Sequence, residues 1–289
     1  MMKKLLKWIG IILGGLVLLL IIAAISLSFA GNARLSKTTY VQPEDIQIPV
    51  DVAALQRGEH LVQATCLSCH GADLSGEAVI DDPAIGTIYA PNITGLVESR
   101  SDVELVLAIR HGLGPDGRQL IVMPAESFIH YSVEDLGAVI AYLKSVPAIE
   151  NDLPEPALGF LRRILLAAGM FGQIFPADYI DHDQPFATML VIGANEDYGG
   201  YLSGLCTSCH GADLTGGEST EPDSPPPPDL TSGGRLATWS EDGFVKAMRT
   251  GVTPEGEAID PDFMPWRSFG KLDDEELQAL WLYLHSSSP

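Results

Sequence analysis

One nine-residue stretch occurs twice in this chain, and the repeat constrains the fold more than any other feature. It reads CLSCHGADL over Cys66–Leu74 and CTSCHGADL over Cys206–Leu214, so the two copies differ at a single position. Self-similarity of this kind marks a duplicated structural unit. A length of 289 residues is compatible with two domains. The repeat therefore predicts two similar domains, one around each copy.

Each copy contains a C-x-x-C-H motif, which is the attachment sequence of a c-type haem. Two thiols one helical turn apart can add to the two vinyl groups of a haem, and the adjacent imidazole then points at the iron. A zinc ribbon also pairs two C-x-x-C motifs, but it spaces them about 15–20 residues apart, and the two copies here are far more distant. The motifs predict two haem c groups, attached through Cys66, Cys69, Cys206 and Cys209 and ligated by His70 and His210.

Cysteine usage supports the same interpretation. All four cysteines lie inside the two motifs, so none remains for a structural disulfide. An exported chain without disulfides is unusual unless its cysteines serve another purpose. Thioether bonds to haem are such a purpose.

The N-terminal segment has the pattern of a membrane anchor. Lys3, Lys4 and Lys7 precede an uncharged run over Trp8–Ala30, long enough to cross a hydrocarbon core of about 30 Å. The lysines favour a cytoplasmic N-terminus, with the remainder of the chain on the periplasmic side of the cytoplasmic membrane. A cleaved signal peptide is the alternative, since Ser28-Phe-Ala30 fits a cleavage site, but the apolar run exceeds the usual 7–15 residues.

Composition shifts divide the rest of the chain, and we expect an all-α fold. The predicted segments are an anchor over 1–30, an extended tether over 31–50, a first haem domain over 51–147, a linker over 148–190 and a second haem domain over 191–289. The linker contains a mostly apolar stretch, Leu158–Phe175, interrupted by Arg162 and Arg163. We expect a helix there, buried between the two domains or, alternatively, lying on the membrane surface.

Within the first domain the pattern predicts three longer helices. One runs over about Val52–Ala64, the next is capped by Ser101 and stops at Gly112, and the last is capped by Ser132. The intervening stretch Gly71–Gly95 is rich in glycine and proline, which predicts a loop around the haem. The second domain repeats this order.

Methionines at matching positions are the candidates for the second axial ligand. Met123 and Met264 lie 53 and 54 residues after His70 and His210, and each precedes a proline. A thioether is a soft ligand, and His/Met ligation raises the reduction potential of haem iron. Any single methionine is also a good core filler. Met248 is the local rival, but the first repeat has an isoleucine at that position.

Four further residues are candidates for contacts around the haems. Arg110 and Arg249 correspond in the repeat, and each could pair with a haem propionate or simply lie at a solvated helix end. The carbonyls of Pro91 and Pro228 could accept the ring N–H of the haem histidines and so orient them. The remaining histidines are expected to be surface or loop residues; they are His60, His111, His130, His182 and His285.

The formal charge of −21 limits the possible partners. An acidic surface disfavours nucleic acid, whose backbone is bound by lysine and arginine. It is compatible with docking to a basic protein partner through electrostatic steering.

With these residues in place, the chain resembles a membrane-anchored dihaem cytochrome c built from two class I domains. It is similar to the cytochrome c subunits of membrane-bound alcohol and gluconate dehydrogenases. Besides the haem motifs, the matching pieces are Arg57–Leu61, Gly86–Thr94, Arg110–Gly112, Met123–Pro124 and Tyr142–Pro147. Those subunits commonly carry three haems, whereas this chain has two haem motifs.

The resemblance implies electron transfer without a small-molecule substrate. The expected partners are redox proteins: a dehydrogenase, a quinol-oxidising complex, a terminal oxidase or a soluble cytochrome. Two other classes remain open. One is a haem enzyme, such as a dihaem peroxidase or a thiosulfate oxidoreductase, which needs an open coordination position. The other is a structural or sensory subunit of a larger complex.

Overall fold

The computed structural model describes residues 2–82, 86–154, 159–188, 190–217 and 225–287, and this part of the chain is mostly helical, as predicted. The elements in chain order are α1 Met2–Leu35, α2 Val52–Thr65, α3 Leu67–His70, β1 Glu77–Asp82, β2 Gly86–Ala90, α4 Ile93–Glu98, α5 Asp102–His111, α6 Ala125–Phe128, α7 Val133–Ser145, α8 Phe160–Ala167, α9 Glu196–Ser203, α10 Thr207–His210, α11 Glu241–Thr250, α12 Trp266–Phe269 and α13 Asp274–Ser286. Short 3₁₀ helices cover Pro176–Asp178, Gly204–Cys206 and Arg235–Thr238.

Each half is organised around the crossing of its first and last long helices, α2 with α7 and α9 with α13. Both crossings depend on a glycine. A Cβ on Gly58 would overlap the backbone carbonyl of Ala138, and a Cβ on Gly199 would overlap that of Ala279. Only glycine allows backbones to approach so closely. The same contact in both halves shows that they share one fold.

Helix ends follow the sequence closely. Ser101 caps α5 in a reciprocal capping box with Glu104, and Asp273 does the same for α13 with Glu276. The Ser132 hydroxyl accepts the backbone N–H of Asp135 at 3.1 Å, as its sequence position predicts.

The expected loop over Gly71–Gly95 is wrong in one respect. It contains an antiparallel hairpin, in which β1 pairs with β2 and Ile80 lies opposite Ile88; the turn residues 83–85 lie outside the described part. The run Thr87-Ile88-Tyr89 has high strand propensity, which explains the pairing. The second half has Pro225–Pro228 in this region, and proline cannot donate to a strand ladder.

The expected extended tether over 31–50 differs in its first residues, whereas residues 36–50 form no helix or strand. The helix α1 continues to Leu35, and the following residues lie against the first half. The Thr39 amide donates to the Gly117 carbonyl at 2.8 Å, and Ile46 belongs to the first core. Arg34 and Lys37 both form ion pairs with Asp178. The segment therefore joins α1 firmly to the first half.

The linker helix differs from our main expectation. It spans Phe160–Ala167, and its main helical neighbour is α1 rather than a haem domain. The backbone of Arg163 lies against Gly31, where a side chain would not fit. Leu158, which we placed at the start of this helix, lies outside the described residues.

The two halves contact each other directly, through equivalent elements. α6 of the first half lies against α10 and the 3₁₀ helix Gly204–Cys206 of the second. Conversely, α12 of the second half lies against α2 and α3 of the first. The short helix after each Met-Pro pair therefore touches the haem motif of the other half, so both motifs lie near the interface between the halves.

Candidate haem-binding sites

The haem motif forms the same tight structure in each half. Cys66 precedes α3 and Cys206 precedes α10, so both histidines occupy the last position of a single helical turn. The following glycines, Gly71 and Gly211, both adopt φ of +80°, which favours glycine. The Gly76 amide donates to the backbone carbonyl of His70 at 2.8 Å, and the Gly216 amide donates to that of His210 at 2.9 Å. The motif is thus held rigidly by backbone bonds.

Both haem histidines are oriented by a proline carbonyl, as the sequence suggested. His70 Nδ1 lies 3.0 Å from the Pro91 oxygen, and His210 Nδ1 lies 2.9 Å from the Pro228 oxygen. Because a carbonyl only accepts hydrogen bonds, Nδ1 carries the proton and Nε2 keeps its lone pair. Burial lowers the pKa of both imidazoles, although the proline carbonyls act in the opposite direction. Each ring is therefore a neutral imidazole suited to binding iron.

The second half contains a cavity with the residues that a haem c requires. Its volume is about 360 Å³, within the range of cofactor pockets. Cys206, Cys209, His210 and Met264 all line it, together with apolar and aromatic side chains: Leu202, Leu236, Trp239, Phe244, Phe269 and Leu280. Two thiols, an imidazole and a thioether on one apolar cavity match the donor set of a haem c with His/Met ligation.

In the first half, Met123 packs against the same core as residues of the haem motif. Cys66, Leu67 and Met123 are partly buried side chains that pack against the same core cluster. In the second half, Met248 lines the cavity as well as Met264, and it is nearly buried.

Both candidate arginines, Arg110 and Arg249, are hydrogen-bonded to groups of the protein. Arg110 is fully buried, and it donates to the Ile129 carbonyl at 2.6 Å, to the Gln184 carbonyl and to Glu44. Its guanidinium also stacks on the Phe186 ring at 3.9 Å. Arg249 donates to the Gly270 carbonyl and to Asp274. Protein partners thus occupy both guanidinium groups, and each one fastens a helix end.

Sequence reasoning missed the charged residues that line the second cavity, which are Arg235, Glu257 and Asp260. Arg235 forms an ion pair with Glu257 and lies 6.0 Å from the Trp239 ring. No counterpart in the first half drew attention to them, because the two copies differ most in this region.

A buried ionic cluster joins the two halves, and we call it the interface cluster. Arg57 donates two hydrogen bonds, of 2.8 and 2.9 Å, to the carboxylate of Asp135 in its own half. It also donates to Glu276 of the other half at 2.7 Å, and His60 lies 2.5 Å from the second oxygen of Glu276. Both carboxylates are buried, with side chains at most 1% exposed.

Tyrosines complete the interface cluster in a symmetrical way. Tyr198 donates to Glu276 of its own half at 3.0 Å, as Arg57 does to Asp135. Tyr201 donates across to Asp135 at 2.7 Å, as His60 bonds across to Glu276. Arg57 and Tyr198 each precede a packing glycine by one residue, and His60 and Tyr201 each follow it by two. The halves are therefore related by an approximate two-fold arrangement.

Three of the remaining histidines are not ordinary surface residues. His60 belongs to the interface cluster, and His111 is completely buried. His111 Nδ1 faces His182 Nδ1 at 3.1 Å, while its Nε2 lies 3.0 Å from Glu44. Burial lowers the pKa of His111, and Glu44 only partly compensates. This pair ties the linker to the first half.

Comparison with known proteins agrees with this structure. The family profile for cytochrome c matches residues 55–147 and 201–288, which contain the two haem motifs. The chain is 26% identical, over 92% of its length, to the cytochrome c subunit of a quinone-type alcohol dehydrogenase from Gluconacetobacter polyoxogenes. A gluconate 2-dehydrogenase cytochrome c subunit from Pantoea cypripedii is 29% identical over 81% of the chain, and a fructose dehydrogenase cytochrome subunit from Gluconobacter japonicus is 26% identical over 81%.

A mostly helical fold with two C-x-x-C-H turns and a methionine-lined apolar cavity defines a haem-binding protein of the c type. The chain belongs to the cytochrome c family. Family membership supports electron transfer by covalently bound haem c. The chain spans 62%, 59% and 52% of the length of the alcohol, gluconate and fructose dehydrogenase subunits respectively.

Proposed function

We propose that this protein relays electrons through two haem c groups, one in each half, without itself catalysing bond chemistry. The observation that carries the proposal is the second cavity, where Cys206, Cys209, His210 and Met264 line one apolar space. The equivalent motif in the first half has the same backbone bonds and the same proline-oriented histidine. When bound, each haem supplies an iron that gains or loses one electron.

The residues of the chain hold and tune these two centres. Cys66, Cys69, Cys206 and Cys209 would form the thioether bonds, and Pro91 and Pro228 keep the Nδ1–H of each histidine engaged so that Nε2 faces the iron. Met123 and Met264 would fill the sixth positions. We assign Met264 rather than Met248, because Met123 is the repeat counterpart of Met264 while Ile109 is that of Met248. Soft sulfur ligation and apolar surroundings favour a high potential.

The interface cluster would serve the relay by fixing the geometry between the two centres. Electron transfer between cofactors requires a constant, short separation, and both haem motifs lie near the interface of the two halves. Arg57 contacts a carboxylate from each half at once. The two centres are thus held as one unit rather than on independently moving domains.

We further propose that α1 anchors the chain in the cytoplasmic membrane and that both haem centres lie on its periplasmic side. Among the described residues, α1 is the helix long and apolar enough to cross a bilayer, and its apolar window is entirely exposed. The alcohol, gluconate and fructose dehydrogenase relatives suggest a dehydrogenase as one redox partner.

Carbon monoxide binding distinguishes the relay from a haem enzyme. Haems whose two axial positions are filled by protein ligands leave no position for carbon monoxide, whereas a catalytic centre must offer one. The reduced full-length protein in detergent is exposed to carbon monoxide, and its absorption spectrum is compared before and after. We expect no change at either haem. A stoichiometric spectral shift at one haem would contradict the relay and support a catalytic centre.

A further inference from the structure

The linker helix α8 exposes large apolar side chains beside the membrane helix. Phe160 is 52% exposed, Leu161 57% and Met170, just beyond the helix, 63%. Its other side is occupied, since Leu166 is buried and α8 packs along α1. A soluble surface rarely leaves such residues clustered in water, so this face calls for an apolar partner.

The contact with α1 determines the height of α8 relative to a bilayer. The Arg163 backbone lies against Gly31, directly after the apolar run that ends at Ala30. Ser28, one turn earlier, is also buried. The exposed side chains of α8 therefore lie beside α1 at the level where its apolar run ends and hydrocarbon meets headgroups.

Charge at this level agrees with a lipid surface as the partner. Arg162 and Arg163 lie on α8, in a chain whose formal charge is −21. Basic residues beside an apolar helix face are the pattern of interfacial helices, which insert apolar side chains and place their charges among anionic headgroups.

The segment after α8 connects this level to the first haem half. The Val122 amide donates to the Ile174 carbonyl at 2.8 Å, and Val122 is adjacent to Met123. Phe175 is buried, and the Arg34 guanidinium lies 5.0 Å from its ring. The methionine side of the first half is thus the part tied to α8.

We infer that α8 lies in the outer surface of the lipid bilayer, with Phe160, Leu161 and Met170 inserted among the acyl chains. This rests on the proposed membrane span of α1. Together α1 and α8 form a two-point attachment that holds the first half against the membrane, with the Met123 segment facing it.

Site-directed spin labelling of the full-length holoprotein tests this inference. Single cysteines are introduced by Leu161→Cys and Met170→Cys, labelled with a nitroxide, and reconstituted in vesicles containing phosphatidylcholine and phosphatidylglycerol. The native cysteines are held in thioethers and so are not labelled. The protein is kept oxidised, because a haem reductant would also reduce the nitroxide, and the constant relaxation by the iron is subtracted with a nitrogen-equilibrated reference. Power saturation then compares accessibility to oxygen, which concentrates in lipid, with accessibility to a water-soluble nickel chelate. Val50→Cys is the aqueous control, since Val50 is 90% exposed, and Leu19→Cys is the lipid control.

For the labels at positions 161 and 170, we expect the ratio of oxygen accessibility to chelate accessibility to be several-fold above that at position 50. It should not exceed the ratio at position 19. A ratio at 161 equal to that at 50, with 19 in lipid, would overturn the inference while leaving the membrane span intact. A label at 161 shielded from both reagents would indicate a protein partner and also overturn it. A label at 19 that behaves like 50 would remove the membrane span itself, and with it this inference.

Discussion

His60 Nε2 lies 2.5 Å from Glu276 Oε2, a contact between residues 216 positions apart in the chain. Glu276 also accepts from Arg57 and Tyr198, and its own backbone amide donates to Asp273. One carboxylate therefore caps the last helix of the second half and binds two residues of the first. The two halves form a single unit because of such shared groups, and this distinguishes the protein from two cytochrome domains on a flexible linker.

Removing the charge of Glu276 should weaken the whole unit. We expect Glu276→Gln to lower the free energy of unfolding by about 2 kcal/mol, because the bonds to a buried charged group are lost while Arg57 keeps Asp135. Glutamine still fits the capping box, so the loss reports on the charge. Urea unfolding of the holoprotein in detergent, followed by haem absorbance, measures it.

The matched control for this variant is Asp274→Asn, one of the neighbouring acidic residues. Asp274 pairs with Arg249, but its side chain is 91% exposed. A surface pair of this kind contributes less than about 1 kcal/mol. Equal losses for the two variants would show that the interface cluster does not hold the halves together.

The same cluster predicts that the contribution of Glu276 to stability is largest at mildly acidic pH. Burial opposes ionisation of Glu276, but hydrogen bonds from His60 and Arg57 outweigh it and lower its pKa to about 2. Its contribution is therefore present above its ordinary value of 4.5 and is lost as the pH falls toward 2. The hydrogen bond to Glu276 raises the pKa of His60 above 6.5 against the effect of burial, with Asp273 adding to the rise and Arg57 opposing it.

The contribution of His60 is therefore complete below pH 6.5 and is lost as the pH rises through the raised pKa. The part of the unfolding free energy that depends on Glu276, measured as the difference between wild type and Glu276→Gln, should be highest between about pH 4.5 and 6.5 and should decline on both sides. A difference that does not change with pH would contradict this origin of the pH dependence.

The close crossing of α2 and α7 requires glycine at position 58. Replacing this glycine by alanine, which adds one methyl group, tests that requirement. Gly58→Ala should destabilise the first half by about 1–3 kcal/mol, because the added Cβ overlaps the Ala138 carbonyl and the helices must separate. Gly95→Ala is the control, since nothing lies near a Cβ at that helical position. There alanine should be neutral or stabilising by up to about 1 kcal/mol. Thermal unfolding separates the two, and similar midpoints for both variants would refute the close crossing.

Two methionines line the second cavity, and replacing each one separately tests which of them is the second axial ligand. Met264→Ala should remove the weak far-red absorption band of a methionine-ligated haem at one centre and lower that centre's reduction potential. Met248→Leu, which conserves volume, should keep both. Absorption of the oxidised protein and a potentiometric titration measure the effects. If Met248→Leu removed the band and Met264→Ala kept it, Met248 would be the axial ligand, and the assignment of Met264 from the internal repeat would be wrong.

The sequence was most informative where chemistry or local geometry fixes a spacing. The C-x-x-C-H turns, the Ser101 and Ser132 caps and the Pro91 and Pro228 carbonyls all depend on residues that lie close along the chain or recur in both copies. Such features need no knowledge of the tertiary fold, so they could be predicted individually.

The rest depends on contacts between distant segments. Asp135 and Glu276 lie in the first turns of two corresponding helices, and nothing local indicated that Arg57 and His60 would bind them. Arg110 was a candidate haem contact by its position in the repeat, and nothing local indicated that it would be buried against Glu44 and Phe186. The apolar face of α8 was visible in the sequence, but its neighbour was not, because periodicity shows that a face is buried without showing what buries it.

The mass of the intact chain under denaturing conditions tests the central claim most directly. Covalent attachment through Cys66, Cys69, Cys206 and Cys209 keeps each haem on the polypeptide when all non-covalent contacts are lost. The account predicts a chain that carries the mass of two haems. A chain with one haem or none would contradict it.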